Sequence, residues 1–559
     1  MLTNISRFWL KATPLLLALI WTSACAQTAK QAGIATAHPI ATEAGHEILQ
    51  AGGNAFDAAV AITATLAVVE PMSSGLGGGG FWLLHRQQDA MQVFVDGRET
   101  APGKAHRDMY LDKDGNVIPN LSMDGPLSAG IPGLPAAMAH IAQKYGKLPL
   151  SQSLQPAIRA AKNGFPVRTY YTRVAQFRLK ALQDSPAAAK IFLNNNEVPP
   201  EGHIIKQTDL ANTLQALADQ GAAGFYQGAV AQKLVQGVQQ AKGIWTLEDL
   251  AKYTVVERQP VQGQYQGLKI TTAPPPSSGG IAMLTTLNIL APYPLAKLPR
   301  SEQVHLTVEA MRRAYRDRAI YLGDPDFVEI PQETLLHPFY ADGLRAAIRE
   351  DQATPSNTLP GLPAGKGRDT THFSVLDQDG NRVSATLTIN YPFGSGFVPP
   401  GTGVLLNDEM DDFSAKPGVP NAYGLVGGEA NAIAAGKRPL SSMSPTFIES
   451  DRGVAILGTP GGSRIISMVL LAILDYAQGG NALSMVSLPR YHHQYLPDQI
   501  QHEENTFTPT EIQALKTKGH EFKQVPWPYG NMQAVLWEQK DNKVSAASDP
   551  RYEGQALVK

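Results

Sequence analysis

The tightest constraint on this chain is a juxtaposition around position 370. Residues 354 to 368 read Thr-Pro-Ser-Asn-Thr-Leu-Pro-Gly-Leu-Pro-Ala-Gly-Lys-Gly-Arg, rich in Pro and Gly and without periodicity, which predicts an exposed, mobile linker. It runs directly into two alternating β-branched stretches, Thr370 to Leu376 and Arg382 to Asn390, joined by Asp377-Gln378-Asp379-Gly380-Asn381. Such a pattern is a hairpin with an Asp-Gly turn. A loose loop therefore feeds a core strand whose first residue is threonine.

A threonine hydroxyl is a weak nucleophile unless a base stands beside it, and one available base is the residue's own α-amine, released by backbone cleavage. An unperturbed α-amine has a pKa of about 7.7 to 8.0, so it can take the hydroxyl proton near neutral pH and return it later. Cutting at Asp369-Thr370 would create that base, and the same hydroxyl could make the cut by attacking the preceding carbonyl. A Thr-Thr pair at a strand start is also what β-propensity alone produces, so the case rests on the rest of the chain.

The chain has 559 residues, 43% hydrophobic and 17% charged, enough for a large core. Lys plus Arg number 47 against 49 Asp plus Glu, a net charge of −2, which supplies no positive field for a polyanion and argues against nucleic acid as a partner. Arg7 and Lys11 precede the apolar run Leu15 to Trp21, with small residues at Ala24 and Ala26, the pattern of an export signal over 1–26 with Gln27 as the new start. No later stretch is apolar enough to span a bilayer, so the expected location is periplasmic or secreted. Cys25 is the only cysteine; it lies inside the signal, and Thr22-Ser23-Ala24-Cys25 loosely resembles a lipoprotein box that would acylate it.

Residues 42 to 69 predict two helices divided by Ala51-Gly52-Gly53-Asn54, the second capped by Asn54 with Asp57 and apolar enough to be buried. Ser73 to Gly80 is a glycine-rich turn before strands at Phe81 to His85 and Met91 to Asp96. From about 125 to 365 the pattern is mostly helical; the charges of the amphipathic stretch Gln303 to Leu322 predict a solvated face, and Ala273 to Gly280 is a turn.

Asp369-Thr370-Thr371-His372-Phe373-Ser374-Val375, Thr388-Ile389-Asn390, Asn407 to Phe413, Arg438 to Pro445 and Gly458 to Arg464 closely resemble the gamma-glutamyltransferase family in order and spacing. Gly52 to Ala59, Ser73 to Gly80, Arg98 and Asp549-Pro550-Arg551 extend the likeness over nearly all of the chain. The resemblance implies an α+β fold, the N-terminal-nucleophile hydrolase αββα four-layer sandwich, self-cleaved into a large subunit, 27–369, and a small subunit, 370–559, intertwined as one domain. It implies Thr370 as nucleophile and Thr388 as the residue orienting its amine or hydroxyl. The N–H groups of Gly461 and Gly462 would form the oxyanion hole. A gamma-glutamyl donor carries an α-carboxylate, matched by Arg98, Ser441 and Ser442, and an α-ammonium, matched by Asn390, Glu409 and Asp412. Pro417 to Gly428 resembles a lid over the donor, with Tyr423 as its gate.

The implied activity is transfer of the gamma-glutamyl group from glutathione, glutamine or related donors to amino acids, dipeptides or water. Nothing in the chain calls for a metal or an organic cofactor. Gly77 to Gly80 lacks the Lys-Ser/Thr of a phosphate loop, adjacent His492 and His493 point apart, and His372 is expected to pack. Two rivals share the fold: an acylase for cephalosporin- or glutaryl-type substrates, and a non-catalytic exported binding protein. Asp412 and the lid argue against the first, since a buried anion without a cation is costly, and an intact Thr370 argues against the second. A G-x-S-x-G or H-E-x-x-H hydrolase has no motif here.

Overall fold

The β-branched, alternating runs and the Ala-rich stretches sort into two sheets between two helical layers in a computed structural model, which describes residues 28–359, 370–414, 416 and 428–559. Residues 1–26, the expected export signal with Cys25, as well as Asp369 of the expected cleavage bond and Tyr423 of the expected lid, lie outside the described residues.

The strands that build the sheets are Gly33–Thr36 (β1), Gly79–Arg86 (β2), Met91–Gly97 (β3), Val256–Arg258 (β4), Val261–Tyr265 (β5), Leu268–Thr272 (β6), Thr371–Leu376 (β7), Arg382–Thr388 (β8), Thr446–Ser450 (β9), Gly453–Gly458 (β10), Gln533–Glu538 (β11), Lys543–Ser548 (β12) and Gln555–Val558 (β13). The first sheet runs β13-β1-β7-β8-β2-β3-β4 and the second β12-β11-β10-β9-β6-β5. Helices Pro39–Gln50 (α1) and Ala55–Val69 (α2), with Leu134–Tyr145, cover the outer face of the first sheet. Thr169–Phe177 (α3) follows in the same half, and Gly279–Leu290 (α4), Arg300–Tyr321 (α5) and Arg464–Ala477 (α6) build the layer over the second sheet. The order helix, sheet, sheet, helix is the αββα sandwich that the resemblance implies.

Local sequence explains why these elements form. Asn54 and Asp57 make a capping box at the start of α2, and every residue of that helix is buried, as expected of a helix apolar all round. The hairpin strands pair in register, Thr371 with Leu387 and His372 with Thr386. Period-two alternation sends Phe373 and Val375 into the core under α2, while Ser374 donates to the Gln533 carbonyl and Ser384 to the Leu457 carbonyl, both in the second sheet. The even-numbered face of β7 thus looks into the space between the sheets.

Two expectations are corrected. The charges of α5 do not form a solvated face: Glu309, Arg312, Arg313, Asp317 and Arg318 are all buried. Glu309 sits 2.7 Å from Arg313 and 3.3 Å from Arg312, and Arg312 also pairs with Asp498, so the carboxylates compensate the guanidiniums and the helix can be sunk into the protein. The same groups tie down the beginning of the expected loose linker. Thr354 donates to Glu309 from its N–H at 3.0 Å and its hydroxyl at 2.6 Å, and the Ser356 N–H donates to Asp498 at 2.7 Å.

Candidate active site

Thr370 directly precedes β7 and is almost buried, at 7% exposure. One step beyond the Thr371–Leu387 pair, the antiparallel register sets it opposite Thr388. Its neighbour faces the other way: the Thr371 hydroxyl donates to Glu70, at the end of α2, at 2.6 Å. Only Thr370 of the two can address the inter-sheet space, and it lines a cavity of about 600 Å³. The Thr388 hydroxyl oxygen accepts the Asn390 N–H at 2.8 Å, which orients it beside Thr370.

The second sheet delivers a turn to the same place. Gly458, the last residue of β10, lies against the His372 ring, where a Cβ would stand 2.3 Å from a ring carbon. Burial pushes the His372 pKa down to about 3, so the ring is neutral, with Nδ1 2.8 Å from the Thr386 hydroxyl, and it packs as expected. From Gly458 the chain turns through Thr459 and Pro460 to Gly461, which lines the Thr370 cavity, and Gly462. Both have positive φ, +137° and +58°, in the region that side chains rarely adopt. Among the described residues no hydrogen bond draws on either N–H, and both precede the 14-residue helix α6, whose N-terminal end carries partial positive charge. Two uncommitted donors at a helix start can stabilise a developing oxyanion.

Arg98 shares a row of the first sheet with Thr370. Thr388 pairs with Gly79, and one step beyond the Gly80–Gly97 pair Gly79 faces Arg98. Three strand spacings, about 14 Å, separate the ends of that row, a gap that a guanidinium side chain and a glutamyl chain can share. The Arg98 guanidinium is 1% exposed and lies 2.7 Å from Glu409 and 2.5 Å from Asp412; it also donates to the carbonyls of Pro439 and Leu440. Burial would lower its pKa, but Glu409, Asp412 and Glu99 outweigh that and hold it charged. Burial pushes the Glu99 carboxyl up to about 8 despite Arg98 at 3.6 Å, and lifts Glu409 well above the carboxylate range.

The residues matched to the carboxylate and ammonium sides are thus in direct contact. Asp412 is the accessible member, its side chain 16% exposed, whereas Glu409 is 1% exposed. Asn390, at φ +74°, donates its side-chain amide to the Asp408 carbonyl at 2.9 Å, which holds it next to the acidic turn Glu409–Asp412.

The two serines come from the loop before β9. The Ser441 hydroxyl oxygen accepts the Met443 N–H at 3.1 Å, and the Ser442 hydroxyl oxygen accepts Arg318 Nη2 at 3.1 Å. Arg318 also donates to Ser278, itself bound to the Ser441 carbonyl at 2.6 Å. Burial lowers the Arg318 pKa. Arg318, Ser278, Glu99 and Glu70 were not singled out by sequence reasoning. Arg318 was hidden by the helical period of α5, which reads as solvent-facing charge, and no local pattern marks the other three.

The Gamma-glutamyltranspeptidase family pattern matches residues 41–559. The chain is 43% identical to the glutathione hydrolase proenzyme of Pseudomonas sp. (strain A14), over 97% of each chain. It is 41% identical to the proenzyme of that name from Escherichia coli (strain K12), over 94% of this chain and 91% of the relative. Among solved structures, the cephalosporin acylase from Bacillus halodurans superposes with a TM-score of 0.83 at 26% identity, covering 100% of this chain and 99% of that one.

Proposed function

The chain belongs to the gamma-glutamyltranspeptidase family and is an enzyme of the glutathione hydrolase kind, and on that premise we propose that Thr370, released by cleavage of the Asp369–Thr370 bond, is its nucleophile. The observation that carries this reading is the row Thr370, Thr388, Gly79, Arg98, with the reacting hydroxyl at one end and the buried guanidinium at the other.

In the uncut chain the Thr370 hydroxyl attacks the Asp369 carbonyl; the resulting ester is hydrolysed, leaving 27–369 and 370–559 as large and small subunits. The new α-amine then takes the hydroxyl proton as Thr370 attacks the gamma-carbonyl of the donor. The Gly461 and Gly462 N–H groups hold the tetrahedral oxyanion, and Thr388 orients the amine or hydroxyl. The proton passes to the departing amine, and the gamma-glutamyl ester is resolved by water or by an acceptor amine. Arg98, Ser441 and Ser442 take the donor carboxylate; Asp412 and Asn390 take its ammonium, and Glu409 acts through Arg98. Removal of 1–26 on export would leave a protein in which, among the described residues, no helix is long and apolar enough to cross a membrane.

The acylase reading is less favoured, because a donor acyl group without an ammonium would leave Asp412 without that partner. Release of nitroaniline from gamma-glutamyl and glutaryl anilides separates the two. We expect gamma-glutamyl to be preferred by at least about a hundredfold and Thr370→Ala to be inert. A preference for glutaryl anilide would overturn the donor assignment.

A further inference from the structure

We propose that Arg318 makes the serine pair selective for a charged α-carboxylate: it sets the Ser442 hydroxyl so that its proton faces the donor, and it supplies a positive charge that no carboxylate of the protein takes up. It is a positioning residue, acting through Ser442. The proposal rests on the reading that Ser441 and Ser442 take the donor carboxylate.

Arg98 alone does not provide that charge. Its guanidinium lies 2.7 Å from Glu409 and 2.5 Å from Asp412 and donates to the carbonyls of Pro439 and Leu440, so it is shared with the protein before a donor arrives. Arg318 differs. It stands in the last turn of α5 and is 4% exposed. Among the described residues it has no carboxylate within ion-pair distance, although Arg312, Arg313 and Arg316 on the same helix all do. Burial lowers its pKa, with Tyr315 and Asp412 opposing, and a guanidinium stays charged all the same. A buried cation without a counter-charge is costly, and an anion bound one hydroxyl away offsets that cost.

The hydrogen bonds show how the charge is aimed. Arg318 Nε donates to the Ser278 hydroxyl oxygen at 2.9 Å and Nη2 to that of Ser442 at 3.1 Å. Ser278 is itself fixed, since its hydroxyl and its N–H both donate to the Ser441 carbonyl, at 2.6 and 2.8 Å. Ser277 donates to the Met443 carbonyl at 2.7 Å, so the start of α4 and the serine loop hold the guanidinium between them. A hydroxyl has one proton and two lone pairs. With Nη2 donating into the Ser442 oxygen and the Met443 N–H into the Ser441 oxygen, the proton of each is left over, and among the described residues neither finds an acceptor. Two adjacent O–H donors, one of them backed by an unpaired guanidinium, fit a carboxylate, whose two oxygens accept both and whose charge comes to lie about 5 Å from Arg318. A carboxamide of the same shape offers one acceptor oxygen, an NH2 group that donates, and no charge.

The test compares processed wild type, Arg318→Gln, Arg318→Lys and Ser278→Ala on three anilides: gamma-glutamyl anilide, its α-carboxamide, and glutaryl anilide, which keeps the carboxylate and lacks the amine. In Arg318→Gln the kcat/KM preference for carboxylate over carboxamide should fall about ten- to hundredfold, chiefly through the KM of the carboxylate donor, while the preference for gamma-glutamyl over glutaryl stays within about twofold. Arg318→Lys should keep part of the first preference, and a lysine no better than glutamine contradicts the role of the charge. Ser278→Ala, which leaves the charge and removes one anchor, should cost that preference about three- to tenfold. An unchanged carboxylate preference in processed Arg318→Gln overturns the proposal, as does a parallel fall of both preferences, which is what a loosened site gives. If Arg318→Gln is not processed, Ser278→Ala decides in the same way. A wild type that does not prefer the carboxylate removes the donor assignment of Arg98 and the serines, and the proposal with it, and leaves Thr370 in place.

Discussion

Arg98 is the residue on which most of the charge at the site depends. Removing it would take the cation from Asp412 and the donor from the Pro439 and Leu440 carbonyls, so Arg98→Ala should cost about 1–3 kcal/mol of stability as well as donor affinity, measurable by denaturant unfolding. Glu99 makes a separate prediction. Its carboxyl oxygens accept no hydrogen bond among the described residues, and burial raises its pKa from 4.5 to about 8, with Arg98 opposing. An acid whose folded pKa is raised contributes its full share of stability below the unfolded value and loses it as pH climbs to the folded value. The melting temperature of wild type should therefore fall relative to Glu99→Gln between pH 4.5 and about 8, then run parallel above it. Parallel curves across the whole window would contradict the assignment. Motif order in the sequence singled out Arg98, Glu409, Asp412 and the two serines as candidates, but not the contact between the arginine and both acids. That contact is made between β3 and the distant turn at 409–412, and its partners are set by tertiary packing.

At the scale of elements, the close approach of β10 to β7 decides how Thr370 meets the Gly461 turn. Gly458→Ala would drive a methyl into His372, at a cost of about 1–3 kcal/mol. Adding His372→Ala should recover part of that loss, and a double-mutant cycle with no coupling would show that the two strands do not meet as described. The hairpin and the capped helix α2 were legible because period two and a capping box are local signals. Helix α5 was legible as a helix and misread as a surface one. Its charges have partners at Thr354 and Asp498 that no local window contains. The same partners explain why the linker is tied down through its first residues.

At the scale of the molecule, the chain before 370 and the chain after it are interleaved. In the first sheet β7 and β8 lie between β1 and β2, and in the second β9 pairs with β6. Cleavage at 369–370 should therefore leave one particle: the two pieces should co-elute under native conditions and separate only in denaturant. Free elution of either piece under native conditions would contradict that arrangement. The four-layer order was legible only through the resemblance, because strand order is set by pairings hundreds of residues apart.

The central claim, that Thr370 becomes an N-terminal nucleophile, is tested most directly by the intact mass of the purified protein in denaturant, alongside Thr370→Ala. The account predicts two masses for wild type that meet between Asp369 and Thr370, and one uncut mass for the variant. A single mass for wild type, a junction elsewhere, or a variant that still splits at that bond would contradict it.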